Sequence, residues 1–186
     1  MHTFVVVTGL PGSGKTTLAA ALAEKLGLEH LDKDRFLEAH FVSGAEVTSE
    51  CRNKLSREAD RNFRARALSL NSAVLSSWWR HPRAVKESGT PVNWLLSSEV
   101  RVLEVFCQCP VEVAARRFKA RKRHAGHLDV LRSQEQLLEQ LAEAESLGPL
   151  FLGYTLVCNT ELPLQPASVS KLAHQIRAFE GAPSEA

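Results

Sequence analysis

The sequence predicts an α/β protein: one domain of alternating strands and helices, opening on a loop built to hold phosphate. Two observations carry this. Residues 9–17 read Gly-Leu-Pro-Gly-Ser-Gly-Lys-Thr-Thr and match G-x-x-x-x-G-K-[ST] at every fixed position. From there to the end, short apolar runs alternate with helix-period segments in five strand–helix steps, punctuated by Gly and Pro.

The loop sits in the context it needs. Thr3 to Thr8 is a β-branched run that reads as a buried parallel strand. Leu18, Leu22 and Leu26 then fall four apart on one helical face, and Gly27 supplies the stop. Gly9, Gly12 and Gly14 let the backbone amides approach phosphate oxygens, with Pro11 and Ser13 between them. Lys15 is placed between the β- and γ-phosphates, and the Thr16 hydroxyl to ligate Mg²⁺. Thr17 follows in the first helical turn, whose positive dipole end faces the same anion.

Leu28 to Leu31 reads as the second strand, closed by Asp32-Lys33-Asp34, with a helix starting near Arg35. Ligands of open α/β sheets bind at the carboxyl ends of strands. A carboxylate there can take the proton of a hydroxyl attacking a γ-phosphate or hold Mg²⁺ through water; the same two residues can also cap the next helix. Asp34 is the preferred base and Asp32 the metal or structural helper.

Residues 46–71 read as one long helix with Leu55, Ala59, Phe63 and Leu70 inward. Its basic side, Arg52 to Arg66, reads first as a solvated face and alternatively as a surface for an anionic substrate. Ser72 to Ser77 is the third strand, followed by Trp78-Trp79-Arg80-His81-Pro82-Arg83. The metal-binding aspartate that motor ATPases carry at this strand end is missing. The pattern offers aromatic walls and cationic clamps, with Trp78, Arg80 and Arg83 as substrate residues. A turn at Gly89 to Val92 precedes a short helix around Trp94. Val102 to Cys107 is the fourth strand, and Pro110 opens a helix running to Arg123.

Residues 116–130 hold the densest positive stretch and read as a mobile lid that closes over ATP. A nucleic-acid patch and a solvated helix end are the alternatives. Residues 131–146 form a Glu/Gln-rich helix with Leu137, Leu138 and Leu141 on its packing side. Phe151 to Cys158 is the fifth strand, followed by Asn159 and Thr160. Residues 167–179 form the closing helix, with a frayed tail from Gly181.

Composition narrows the classes. The 186 residues fit one domain, and a net charge of +2 gives no global pull toward nucleic acid or anionic membrane. No apolar run has the length of a membrane span, and the chain enters its first strand with no signal-peptide pattern, so a cytoplasmic location is expected. Cys51, Cys107, Cys109 and Cys158 form no C-x-x-C pair and read as reduced core thiols.

On three segments the chain resembles the P-loop small-molecule kinases of the nucleoside-monophosphate-kinase-like group. These include gluconate and adenylylsulfate kinases, chloramphenicol phosphotransferases, zeta toxins and polynucleotide 5′-kinases. The segments are Gly9 to Thr17, Leu31-Asp32-Lys33-Asp34-Arg35-Phe36, and Cys109-Pro110 with the arginines 116, 117, 121 and 123. Ser76 to Arg80 and Val130 to Gln134 are weaker echoes of the gluconate kinase branch, from which the Trp pair departs.

The resemblance implies a three-layer P-loop NTPase sandwich with a five-stranded parallel sheet in the order 2-3-1-4-5. It implies an ATP- and Mg²⁺-dependent kinase acting on a small-molecule hydroxyl, with Asp34 facing the acceptor and Arg35 beside it. Arg117, Arg121 or Arg123 would stabilise the transferring phosphoryl, and Asn159 would lie under the adenine. A polynucleotide 5′-hydroxyl kinase and a nucleotide-binding regulatory module with little turnover are the alternatives.

Overall fold

A computed structural model of the chain describes residues 1–41, 47–129 and 133–180. Five strands form one all-parallel sheet in the order β2-β3-β1-β4-β5. The strands are β1 (His2–Gly9), β2 (His30–Asp32), β3 (Ser72–Ser76), β4 (Val100–Gln108) and β5 (Tyr154–Asn159). The helices are α1 (Lys15–Leu26), α2 (Lys33–Glu38), α3 (Ser49–Leu68), α4 (Val111–Ala120), α5 (Gln134–Leu147) and α6 (Pro166–Glu180). Single 3₁₀ turns lie at Asn93–Leu96 and Ala125–His127.

Alternation along β1 sets the layers, because successive side chains leave a strand on opposite faces. Val5 and Val7 pack with Leu18 and Leu22 of α1 and Leu172 and Ile176 of α6. Phe4 and Val6 face the other way, onto Phe63 of α3, Trp79 and Trp94. Both faces of the central strand are therefore apolar, which is why it reads as a continuous hydrophobic run. A third cluster joins Leu10 to Phe118 of α4 and Leu137 and Leu141 of α5, tying the phosphate-binding loop to the helices beside it.

Several boundaries differ from the sequence reading. The second strand is His30–Asp32, because Asp32 stays extended and its carboxylate accepts the Asp34 amide at 3.2 Å, starting α2 at Lys33. The α3 helix starts after Thr48, whose hydroxyl accepts the Cys51 amide, and ends at Leu68. Ala67 joins Ala59 and Phe63 on its buried side, Leu55 is half-buried, and Leu70 lies beyond the helix. The helix expected to reach Arg123 ends at Ala120, where Arg121 turns extended. The α5 helix starts at Gln134 behind a Ser133–Gln136 capping box. Three of the four thiols are buried as expected, whereas Cys51 is exposed. The tail from Gly181, position 46 and residues 130–132 of the gluconate-kinase echo lie outside the described residues.

The sheet also contains a charge that the apolar reading of β4 passed over. Glu104 is fully buried at the sheet centre. Its carboxylate accepts from Thr8 Oγ1 at 2.7 Å, Leu150 N at 2.8 Å, Phe151 N at 2.9 Å and Thr155 Oγ1 at 3.1 Å. With four donors it is a satisfied buried acid, joining β1, β4, β5 and the segment before β5.

Candidate active site

The glycines of the loop are dictated by geometry. Gly12 has φ 83°, and a Cβ there would lie 2.1 Å from the Ala114 carbonyl oxygen of α4. Gly14 has φ 92° and open space in front of it. It is the N-cap of α1 and no side chain caps the helix, so the first-turn amides are left to an external acceptor. Lys15 Nζ curls back to donate to Leu10 O at 2.8 Å. Burial pulls its ammonium down to about 8, with Cys107, Asp34 and Asp32 opposing and Arg121 adding to the fall.

Beside the loop, at the carboxyl ends of β1, β2 and β3, lies a cleft of ≈ 550 Å³. Pro11, Lys15, Thr16, Asp32, Asp34, Trp78, Arg80, Arg121 and Arg123 all line it. Thr16 and Asp32 line it side by side, and the Asp32 carboxyl is raised by burial and by its neighbour Asp34. A hydroxyl and a carboxylate side by side, next to uncapped helix amides, form a donor set that fits a Mg²⁺–triphosphate.

Asp34 behaves in the opposite sense to Asp32. Burial alone would raise its carboxyl, but Arg123 foremost, with His127, Lys33 and Arg121, holds it below the usual carboxylate value. Arg123 reaches it because the chain turns extended after α4. The guanidinium forms an ion pair with Asp34 and a second with Asp129 at 3.0 Å.

The segment carrying Arg123 is fastened to α2. His127, buried, pairs through Nε2 with Glu38 Oε1 at 2.7 Å. Phe41 stacks on His124 at 4.8 Å and meets the His127 ring edge-on at 5.6 Å. Gly126 lies against that phenyl ring, so closely that a Cβ would be 2.8 Å away. Arg121 places its guanidinium 4.5 Å above the Phe118 ring.

The far wall is a polar chain. Lys33 Nζ donates to Ser56 Oγ at 2.6 Å and pairs with Asp60 at 3.6 Å. Asp60 accepts from Thr90 Oγ1 at 2.8 Å, and Thr90 Oγ1 lies 2.7 Å from Ser77 Oγ. Burial lowers the Lys33 ammonium, with Asp60 opposing. Arg52 and Arg57 of α3 face this cleft, while Arg66 pairs with Glu29 at 2.6 Å on the outside.

Not every residue marked from the sequence is at the cleft. Arg83 donates to Leu147 O at 2.5 Å, bracing the C-terminal end of α5 outside the cleft lining. Arg35 is exposed on α2 and does not line the cleft. Trp79 is core: its Nε1 donates to Val7 O at 3.0 Å. Arg117, expected on the transferring phosphoryl, points elsewhere. Its guanidinium donates to Thr160 O at 2.6 Å and Glu161 O at 2.8 Å. Asn159 accepts the Glu161 amide at 2.9 Å, so both residues shape the turn after β5. The sequence reading missed Glu38 and Asp129, isolated acids with no motif around them; only the fold shows the partners they meet.

With this geometry in hand, comparison with known proteins places the chain. A model of the AAA domain family matches residues 4–147, which include the phosphate-binding loop, the Asp32–Asp34 segment and the arginines after α4. The chain belongs to the AAA domain family. No curated protein matches it. Among solved structures, a candidate kinase from Chloroflexus aurantiacus superposes with a TM-score of 0.74 at 24% identity, covering 94% of this chain and 97% of that one. A shikimate kinase from Bacteroides thetaiotaomicron gives 0.62 at 18% identity over 97% and 99%. A sugar kinase from Janibacter sp. gives 0.53 at 25% identity over 99% and 98%. This AAA domain thus has the P-loop NTPase α/β fold, with the sheet order the resemblance implied. No helix among the described residues is long and apolar enough to cross a membrane.

Proposed function

We propose that the protein is an ATP- and Mg²⁺-dependent kinase that phosphorylates a hydroxyl of a small molecule. The observation that carries this is the meeting of Lys15, Thr16, Asp34, Arg121 and Arg123 in one cleft beside uncapped helix amides. The loop amides and Lys15 hold the triphosphate, and Thr16 with Asp32 would hold the metal. Bound there, Mg²⁺ would supply neutralisation of the phosphate charge.

Asp34 is the base. A carboxyl held below its usual value is ionised at neutral pH, and it takes the proton of the acceptor hydroxyl as the oxygen attacks phosphorus. Arg123 pairs with that carboxylate, so an acceptor hydroxyl has to displace the guanidinium to reach it. The displaced Arg123, with Arg121, then lies close enough to carry the charge of the transferring phosphoryl. Arg117 and Asn159 act at the other end of the nucleotide by shaping the turn after β5 against which the base rests. The kinase relatives support this reading through their fold; the acceptor comes from the cleft alone.

The experiment is acceptor-dependent ADP release measured over sugars, sugar acids, nucleosides, hydroxylated aromatics and a 5′-hydroxyl oligonucleotide. Release stimulated by one small acceptor supports the proposal. Stimulation by the oligonucleotide alone makes the protein a polynucleotide kinase. Tight nucleotide binding with no stimulation by any acceptor favours a regulatory module.

A further inference from the structure

We propose that the acceptor is amphiphilic: its hydroxyl-bearing half lies beside Asp34, and an aromatic or compact apolar half extends past Trp78 into a second cavity. This rests on the kinase reading above and names the acceptor class for that site. The second cavity, ≈ 400 Å³, lies at the carboxyl ends of β1, β3 and β4, between the 78–90 loop and α5. It adjoins the cleft directly, because Trp78, Ser88 and Gln140 line both.

Its chemistry differs from that of the cleft. Leu10, Trp79, Phe106, Leu147 and Leu150 form its apolar lining. His81 lines it too, but both ring nitrogens are engaged: Nε2 with Pro149 O at 2.9 Å, and Nδ1 with the Arg83 amide at 3.1 Å. It therefore presents a ring face rather than a polar partner. The Lys86–Glu143 ion pair, 2.7 Å long with both partners well exposed, spans the loop and α5. Gln136, Glu139 and Gln140 add polar groups from α5, but the apolar residues are what a purely hydroxylated guest leaves unused and an apolar guest gains from.

Trp78 is the partition between the two spaces, and it is held there. Its carbonyl accepts the Thr90 amide at 2.7 Å, and Thr90 is anchored through Ser77 and Asp60. Gly89 leaves room for the indole: a Cβ at Gly89 would lie 3.1 Å from Trp78 Cδ1 and 2.7 Å from the Trp78 carbonyl oxygen. Of the adjacent pair, Trp79 belongs to the core, its indole committed to Val7 and Phe63. Trp78 has no such role and borders both spaces, where it can stack on a ring that passes from one to the other.

Matched methyl and phenyl glycosides test this by binding and by turnover. Dissociation constants come from tryptophan fluorescence, and phosphorylation from labelled ATP. The phenyl members should bind about 10- to 100-fold more tightly, the gain expected for burying one ring. Ala84→Phe, on the loop wall, should erase that gain without changing ATP affinity. Ala144→Phe, on the α5 wall, provides a second filled cavity should the first variant misfold. Equal binding of methyl and phenyl members overturns the proposal, as does a phenyl advantage that survives both fillings. A phenyl advantage lost on filling, with no phosphoryl transfer, supports the cavity and removes the kinase reading. Transfer with no phenyl preference keeps the kinase and removes the cavity.

Discussion

Lys15 should make nucleotide binding draw a proton from solution. In the free protein its ammonium sits at about 8, mainly because burial disfavours the charge. A triphosphate in the loop restores the charge by direct attraction, returning the pKa toward the ordinary lysine value. Near pH 8 about half of the free molecules lack the proton that the complex requires, so binding takes up roughly 0.5 proton. Affinity should fall nearly tenfold between pH 7.5 and pH 9, as the protonated fraction drops from about three-quarters to about one-tenth. The assay is calorimetric titration with a non-hydrolysable ATP analogue at pH 8, in two buffers of different ionisation enthalpy. Lys15→Arg provides the control, since a guanidinium stays charged throughout this range and should bind with no proton uptake. A buffer-independent enthalpy and a flat affinity from pH 7.5 to 9 would refute the reasoning.

Two further predictions concern stability. Glu104→Ala leaves four donors, two of them in buried bonds and two in partly buried ones, without their acceptor and should cost about 3–5 kcal/mol in chemical unfolding; a loss under about 1 kcal/mol would show that the carboxylate is dispensable. His127 is held below its ordinary value by burial first and by Arg123 next, with Glu38 and Asp34 opposing. Between that depressed value and 6.5 the unfolded chain binds more protons, so this contribution is present above pH 6.5 and is lost as pH falls below it. The stability gap between wild type and His127→Gln should therefore narrow from pH 7 to pH 5 in urea titrations, and a gap that widens would contradict the assignment.

The phosphate-binding loop and the apolar run before it were legible because their determinants are local, whereas the order of the sheet came from the family resemblance. Gly12 and Gly14 have to be glycine for reasons of φ and contact, and β1 is apolar on both faces because both are covered. Asp32 and Asp34 were legible as a pair because a strand ends there, and the fold places both in the cleft.

The arginines were harder to read. Arg83, Arg117 and Arg123 look alike in the chain, yet one braces a helix end, one holds a turn, and only the third meets Asp34. What separates them is which carbonyl or carboxylate the tertiary fold brings within reach. Glu104 was hidden for the same reason, since its four donors come from three other segments. The end of α4 decided where Arg123 goes: three residues fewer of helix let it turn back toward α2.

The central claim is that Asp34 acts as the base in transfer of a γ-phosphate. The measurement that bears on it most directly is the rate of labelled phosphate transfer from ATP to the responding acceptor, wild type against Asp34→Asn, with nucleotide affinity measured alongside. The account predicts a loss of about 10²- to 10⁴-fold in turnover with nucleotide affinity kept within a few-fold. Undiminished transfer by Asp34→Asn would contradict it.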